Sequence, residues 1–233
     1  MFHPLDAASV WVFDLDHTLY APDCDVFARI DARMTAFIAA HLRLPPEAAR
    51  ALQKRYVQSH GTTLRGLMDV HGMAPHAFLD YVHDIALDTL GPDPQLARQL
   101  AALPGRKIIY TNGTARHGER VLARLGIGDQ FADIYDIAAA DYVPKPAPAA
   151  LAALVARMGL VPARVAMIDD MARNLRPAHA LGMTTVWIDN GSEQGATGAA
   201  AGHIHHAAKD VKAALAALVD RKGAPAMVPA CAP

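Results

Sequence analysis

Six polar residues of this chain have the types and settings for chemistry on a charged substrate: Asp14, Asp16, Thr111, Lys145, Asp169 and Asp170. Most follow a short apolar run. Val10 to Phe13 ends abruptly in Asp14, Lys107 to Tyr110 leads into Thr111-Asn112-Gly113, and Val165 to Ile168 ends in Asp169-Asp170. Lys145 lies in a proline-bounded loop from Pro144 to Pro148. Carboxylates crowded together repel one another, so such a cluster needs a cation among them. An oxygen-only donor set, without histidine or thiolate, points to Mg2+ rather than zinc. Mg2+ suits an anionic substrate with phosphate oxygens. Thr111 would give that phosphate a hydrogen bond and Lys145 a positive charge.

Residues so far apart in sequence can meet only if strand ends share one edge. The apolar runs at 10–13, 107–110 and 165–168 read as strands, with a weaker one at 133–138 and a last clear one at 184–188. Helices are predicted up to Gly126, a C-cap glycine, then from Ala149 to Met158 and from about Ala172 to Leu181. Strands alternating with helices imply right-handed crossovers and a parallel sheet, which binds ligands at the carboxyl edge of its strands.

From about Val26 to Leu103 the pattern is helical instead. Phe27, Ile30, Met34, Phe37, Ile38 and Leu42 recur at spacings of three and four, and prolines and glycines divide the stretch into about four helices. The expected architecture is therefore α/β. A Rossmann-like parallel-sheet core spans 1–20 and 104–222, an all-helical cap is inserted at 21–103, and an Ala- and Pro-rich tail at 223–233 is expected to be disordered.

Composition limits the partners. Of the 233 residues, 52% are hydrophobic and 19% charged, enough to bury a sizeable core. Lys plus Arg number 22 against 23 Asp plus Glu, a balance without the basic excess of a nucleic-acid binder. No stretch approaches the ~20 uncharged apolar residues that span a bilayer. The opening MFHPLDAASVWVFDLD lacks the basic start and apolar run of a secretory signal, and the two cysteines, Cys24 and Cys231, form no disulfide framework. The expectation is a cytoplasmic protein acting on a small molecule, with neither nucleic acid polymer nor membrane as partner.

The motifs carry a resemblance. FDLDHTLY resembles the first motif of the haloacid dehalogenase-like superfamily, and YTNG, VPKP and MIDD resemble its second, third and fourth, in family order. The resemblance implies that Asp14 is a nucleophile forming an aspartyl-phosphate, while Asp16 protonates the leaving alcohol and later deprotonates water. It implies that Mg2+ is held by Asp14, the backbone carbonyl of Asp16, Asp170 directly, and Asp169 directly or through water. Asn174 stands where many relatives carry another acid. True dehalogenases expel a halide that needs no proton and lack an acid two residues after the nucleophile; Asp16 therefore favours phosphate esters.

DLDHTLY, GTTLRGLM, TNGTARH and VPKPAP further resemble bacterial pyrimidine 5'-nucleotidases, whose helical cap lies between the first two motifs. That likeness implies a nucleoside 5'-monophosphate such as UMP or CMP as substrate. Asn112 and Gly113 would meet the phosphate at a helix start, and Thr63 and Arg65 of the cap would face base or sugar. A phosphatase or mutase acting on a sugar phosphate shares all four motifs and stays open. A non-enzymatic phospho-accepting switch also combines clustered acids with Thr and Lys, but such a domain lacks an insert of nearly eighty residues. His17 reads as a neighbour of the site, Cys24 as a small buried residue, and His203, His205 and His206 as a solvated loop.

Overall fold

The site is registered from one central strand, β1 (Val10–Phe13). In the computed structural model, which describes residues 4–223, it lies between β2 (Arg106–Tyr110) and β4 (Val165–Asp169). With β3 (Asp133–Tyr135), β5 (Thr184–Ile188) and β6 (His206–Ala208) they form a sheet in the order β3-β2-β1-β4-β5-β6, every neighbouring pair parallel. The chain builds outward from β1 to β3, then returns to the other side of β1 for β4. That reversal is the switch point at which open α/β sheets bind ligands. Phe13 pairs with Ile109 on one side and Ile168 on the other, so Asp14 leaves the sheet beside Tyr110 and Asp169.

Both faces of the sheet are buried, as parallel strands with crossover helices require. Trp11, Phe13, Ile109 and Ile168 join one apolar layer, and Val12, Ile108, Tyr110, Val165 and Met167 the other. Among the described residues, the insert after β1 contains α1 (Val26–Leu42), α2 (Pro46–His60), α3 (Thr63–His71), α4 (Pro75–His83) and α5 (Pro94–Ala102). The first four pack together around Ile30, Ile38, Leu67, Phe78 and Val82, with Phe37 edge-on to Phe78 at 5.3 Å. Thr62 caps α3 by accepting from the Arg65 amide at 3.1 Å, and Gly72 ends it in the left-handed region that glycine reaches most easily.

The core is completed by α6 (Ala115–Leu125), α7 (Pro148–Met158), α8 (Leu175–Ala180) and α9 (Val211–Gly223). Helix α5 lies against α9, where Asp93 meets Lys212 at 2.9 Å and Gln99 donates to the Lys212 carbonyl. Gly126 ends α6 with positive φ, as the sequence predicts. No helix among the described residues is long and apolar enough to cross a membrane.

The parallel α/β core with inserted helices agrees with the sequence reading; three details differ. The third strand stops at Tyr135 rather than Ala138, because Asp136 turns its carboxylate onto the amides of Ala115 and Ala139. The histidine segment is no solvated loop: His203 is buried, its Nε2 donating to the Ala172 carbonyl at 2.6 Å, and His206 opens edge strand β6. Three residues without alternation give no strand signal of their own; pairing with β5 creates it. Cys24 is only half-buried. The tail expected to be disordered lies outside the described residues from 224 on.

One glycine of the GTTLRGLM stretch has a packing reason. A Cβ at Gly66 would stand 2.3 Å from Cγ of the buried Tyr56, so α3 crosses α2 there only without a side chain. Gly66→Ala should lower unfolding stability by about 1–3 kcal/mol in urea titration. A loss below ~0.5 kcal/mol, typical of surface changes, would contradict this close crossing.

Candidate active site

Asp14, Asp169 and Asp170 stand at the adjoining carboxyl ends of β1 and β4, all buried. One oxygen from each lies within 4.8 Å of the others. The buried Lys145 ammonium reaches into this group, donating to Asp14 Oδ1 at 2.5 Å, to Asp169 Oδ2 at 2.8 Å and to the Tyr110 carbonyl at 3.0 Å. Three carboxylates against one ammonium leave two negative charges uncompensated. The strain shows in the proton affinities. Burial, together with Asp169 and Asp16, pushes Asp14 up to about 7 even though Lys145 pulls the other way. Burial followed by the charges of Asp14 and Asp169 pushes Asp170 up to about 9. Lys145 would be lowered by burial, but the two acids it touches hold it well above its ordinary range.

The three acids are not equivalent. Asp169 already accepts four hydrogen bonds: Met171 N and Asn174 Nδ2 on Oδ1, Lys145 Nζ and Asn174 Nδ2 on Oδ2. Among the described residues Asp170 accepts only a long one, from Asn190 Nδ2 at 3.4 Å. Asn174, in the place of an expected acid, thus serves as a donor that fixes Asp169. Asp170 and Asp14 keep the freer oxygens, and the Thr18 hydroxyl ties them by donating to Asp14 Oδ2 at 3.3 Å while accepting from the Asp170 amide at 3.0 Å. A hard divalent ion with oxygen ligands fits this donor set and its two uncompensated charges. The Asp16 carbonyl accepts no hydrogen bond among the described residues and remains available as a further ligand.

Lys145 is placed through its own backbone. Asn112 Oδ1 accepts from the Lys145 amide at 2.8 Å, which binds the turn after β2 to the loop before α7. In the same turn the buried Thr111 hydroxyl accepts from Gly113 N at 2.9 Å. The amides of Leu15, Asp16 and Asn112 meet no acceptor among the described residues, an arrangement able to receive an anion.

Asp16 is directed away from this cluster. Its Oδ1 accepts from the Tyr20 hydroxyl at 2.6 Å and from His117 Nε2 at 3.0 Å. Burial would raise the Asp16 carboxyl, but the His117 ring and these two donors outweigh it and hold Asp16 well below the usual carboxylate range. His117, fully buried at the start of α6, is stacked at 4.7 Å on His83 from the end of α4. Burial, then the neighbouring His117, brings His83 down to about 4. Sequence reasoning missed both histidines and Tyr20. FDLDHTLY and TNGTARH contain Tyr20 and His117, but nothing in their spacing shows that they converge on Asp16.

The cap residues are placed differently from one another. Gly61 brings the cap to the Lys145 loop, since a Cβ there would stand 3.5 Å from Pro144 Cγ. Thr63, two residues on, is buried with a hydroxyl that has no hydrogen-bond partner. Arg65 turns the other way and pairs with Asp69 one helical turn along its own helix at 2.8 Å. His17 packs its ring against Phe27 of α1.

Comparison with known proteins points the same way as the geometry. The sequence profile of the haloacid dehalogenase-like hydrolases matches residues 9–182. Phosphate metabolism protein 8 of Saccharomyces cerevisiae is 29% identical over 199 residues, 77% of this chain and 61% of that protein, so the chain spans about three fifths of its length. Among solved structures, a HAD phosphatase from Thermococcus onnurineus superposes with a TM-score of 0.62 at 16% identity, over 92% of this chain and 98% of that one. L-2-haloacid dehalogenase from Xanthobacter autotrophicus does so with a TM-score of 0.56 at 18% identity, over 93% and 100%. At such identities the likeness concerns the fold alone, which these hydrolases share.

The raised carboxyls carry a sign that can be measured. Asp14 and Asp170 bind protons more tightly folded than unfolded, so their contribution to stability falls as pH rises from about 4 towards 9. A divalent cation must displace those protons. The rise in Tm produced by Mg2+ should therefore be larger at about pH 8.5 than at about pH 5.5. A shift of equal size at both, or one retained in Asp170→Asn, would contradict the placement of the ion.

Proposed function

Since the chain belongs to the haloacid dehalogenase-like hydrolase family, we propose that its reaction is Mg2+-dependent hydrolysis of a small phosphate monoester through an aspartyl-phosphate on Asp14. Pyrimidine nucleoside 5'-monophosphates are the substrates we assign to it. One observation carries this reading: two acids two residues apart have opposite surroundings. Asp14 shares the ends of β1 and β4 with Asp169, Asp170 and the Lys145 ammonium, where a cation and a phosphate would meet. Asp16 stands apart with Oδ1 tied to Tyr20 and His117, which leaves Oδ2 for proton exchange.

Asp14 attacks phosphorus with a carboxylate oxygen as the bond to the ester oxygen breaks, and Asp16 gives its proton to the departing alcohol. Water then attacks phosphorus while Asp16 takes a proton from it, which returns the Asp14 carboxylate and releases phosphate. Asp16 rests in the ionised form that this second half needs. An anionic phosphate arriving beside it disfavours that form and moves it towards the protonated state required by the first half. Lys145 holds Asp14 in line and offsets charge on the phosphate, with Asp169 and Asn112 fixing Lys145 in turn. Asp14, Asp170 and the Asp16 carbonyl are the residues that would hold Mg2+, which supplies positive charge for the phosphate oxygens. Thr111, Asn112 and Gly113 would line the phosphate end, and the unpartnered hydroxyl of the buried Thr63 would face the leaving group.

A proton donor is what distinguishes an alcohol from a halide as leaving group, and Asp16 with its two fixed partners supports the ester. The name of the yeast relative, phosphate metabolism protein 8, supports the same substrate class. Helices α1 to α4 serve in this reading as the cap that selects the alcohol, α5 lying instead against α9 of the core, and the nucleotide preference rests on motif resemblance. A panel of UMP, CMP, sugar phosphates and p-nitrophenyl phosphate, assayed for phosphate release with Mg2+, tests the proposal. UMP or CMP should lead the panel, and Asp14→Asn should abolish turnover without changing Tm by more than a few degrees. Preference for a sugar phosphate would overturn the nucleotide assignment alone. Wild-type rates in Asp14→Asn would overturn the mechanism.

A further inference from the structure

The contacts around Asp16 extend past the acid itself. Both of its protein donors, Tyr20 Oη and His117 Nε2, fall on Oδ1, and Oδ2 accepts no hydrogen bond among the described residues. A carboxylate held at one oxygen by two donors cannot swing about its Cβ–Cγ bond without breaking both. Its other oxygen is left bare for the reacting proton. His117 cannot leave either. It is fully buried, its backbone amide is held by the Thr114 cap at 3.2 Å, and one ring face is covered by His83 at an interplanar angle of 18°. His117 Nδ1 is buried without a partner, so Nε2 is the one ring nitrogen of His117 with a polar neighbour, and that neighbour is Asp16.

His83 is supplied by the cap and is itself fastened to the core. Arg120 of α6 donates to the His83 carbonyl at 2.8 Å and to that of Ile85 at 2.5 Å, and Arg124 donates to the carbonyls of Leu87 and Leu90. The segment leaving α4 is thus tied to the helix that carries His117.

We propose that His117 is the positioning residue of the acid–base group, fixing Asp16 Oδ1 so that Oδ2 faces the leaving oxygen, and that His83 of the cap holds the His117 ring at the required angle. This rests on the phosphatase reading, in which Asp16 exchanges the proton. In this proposal neither histidine exchanges the reacting proton. Their effect passes through Asp16, and it should therefore follow the need for a proton rather than phosphate binding.

Phenyl phosphate and p-nitrophenyl phosphate separate these effects, because the second expels a stable anion with little protonation. In the full-length protein with Mg2+, Asp16→Asn sets the scale: general acid help is worth ~10²–10⁴-fold, so its loss should fall mainly on phenyl phosphate. His117→Leu, which removes the donor, should lower kcat on phenyl phosphate by roughly 10- to 100-fold, within that range, with a much smaller loss on p-nitrophenyl phosphate and little change in KM. His117→Gln keeps a nitrogen donor near the same place and should recover most of the loss. His83→Ala should show the same pattern to a smaller degree.

Equal losses of His117→Leu on both esters, or none, would overturn the proposal if Asp16→Asn keeps its leaving-group dependence. No recovery in a folded His117→Gln would overturn it too, since bulk and not the donor would then matter. If Asp16→Asn itself shows no such dependence, the acid–base reading fails, whatever the histidine variants do. Tm of each variant separates these outcomes from loss of the fold.

Discussion

The site is governed by negative charge that the sheet forces together and the protein does not neutralise by itself. β1 lies between β2 and β4, so the acids that end β1 and β4 must stand side by side. Burial removes the water that would screen them, and one ammonium, that of Lys145, answers three carboxylates. Much of the local structure limits this repulsion. Asn174 and the Met171 amide saturate Asp169, Asn112 pins the Lys145 backbone, and Thr18 ties Asp14 to the Asp170 main chain. What is left unsatisfied, at Asp14 and Asp170, is the pair of carboxylates that the proposed Mg2+ would join.

Asp16 escapes that arrangement although it lies two residues from Asp14. The chain turns sharply after β1, and His17 takes a positive φ of 60°, a region that most side chains disfavour. The turn sends Asp16 towards the start of α6, where hydrogen bonds and a ring dominate in place of like charges. Two carboxyls close in sequence thereby acquire opposite proton affinities. The cap takes part in this through His83 and meets the Lys145 loop at Gly61, so helices inserted between the first two motifs touch both sides of the site.

The legible part of this architecture follows from simple signals. Apolar runs ending in acids marked β1 and β4, and alternation with helices marked the parallel sheet. Motifs at strand ends placed Asp14, Asp169 and Asp170 at one edge, and the motif in the proline-bounded loop brought Lys145 to it. The same signals do not rank the acids: that Asp169 is consumed by donors while Asp170 stays free depends on where Asn174 and Lys145 point. The reach of Arg65 was equally illegible, since a guanidinium facing a substrate and one paired with Asp69 have the same sequence. His83 and His117 lie on different helices, thirty-four positions apart, and only the docking of cap on core stacks them. Strand β6 escaped for a related reason, as three residues take their conformation from β5 and not from their own pattern.

The most direct measurement is a crystal structure grown with Mg2+ and beryllium fluoride, whose trifluoroberyllate adduct stands in for a phosphoryl group. The adduct should sit on an Asp14 carboxylate oxygen, with one Mg2+ at ~2.1 Å from oxygens of both Asp14 and Asp170. An ion bound elsewhere, or an adduct on any other residue, would contradict this placement.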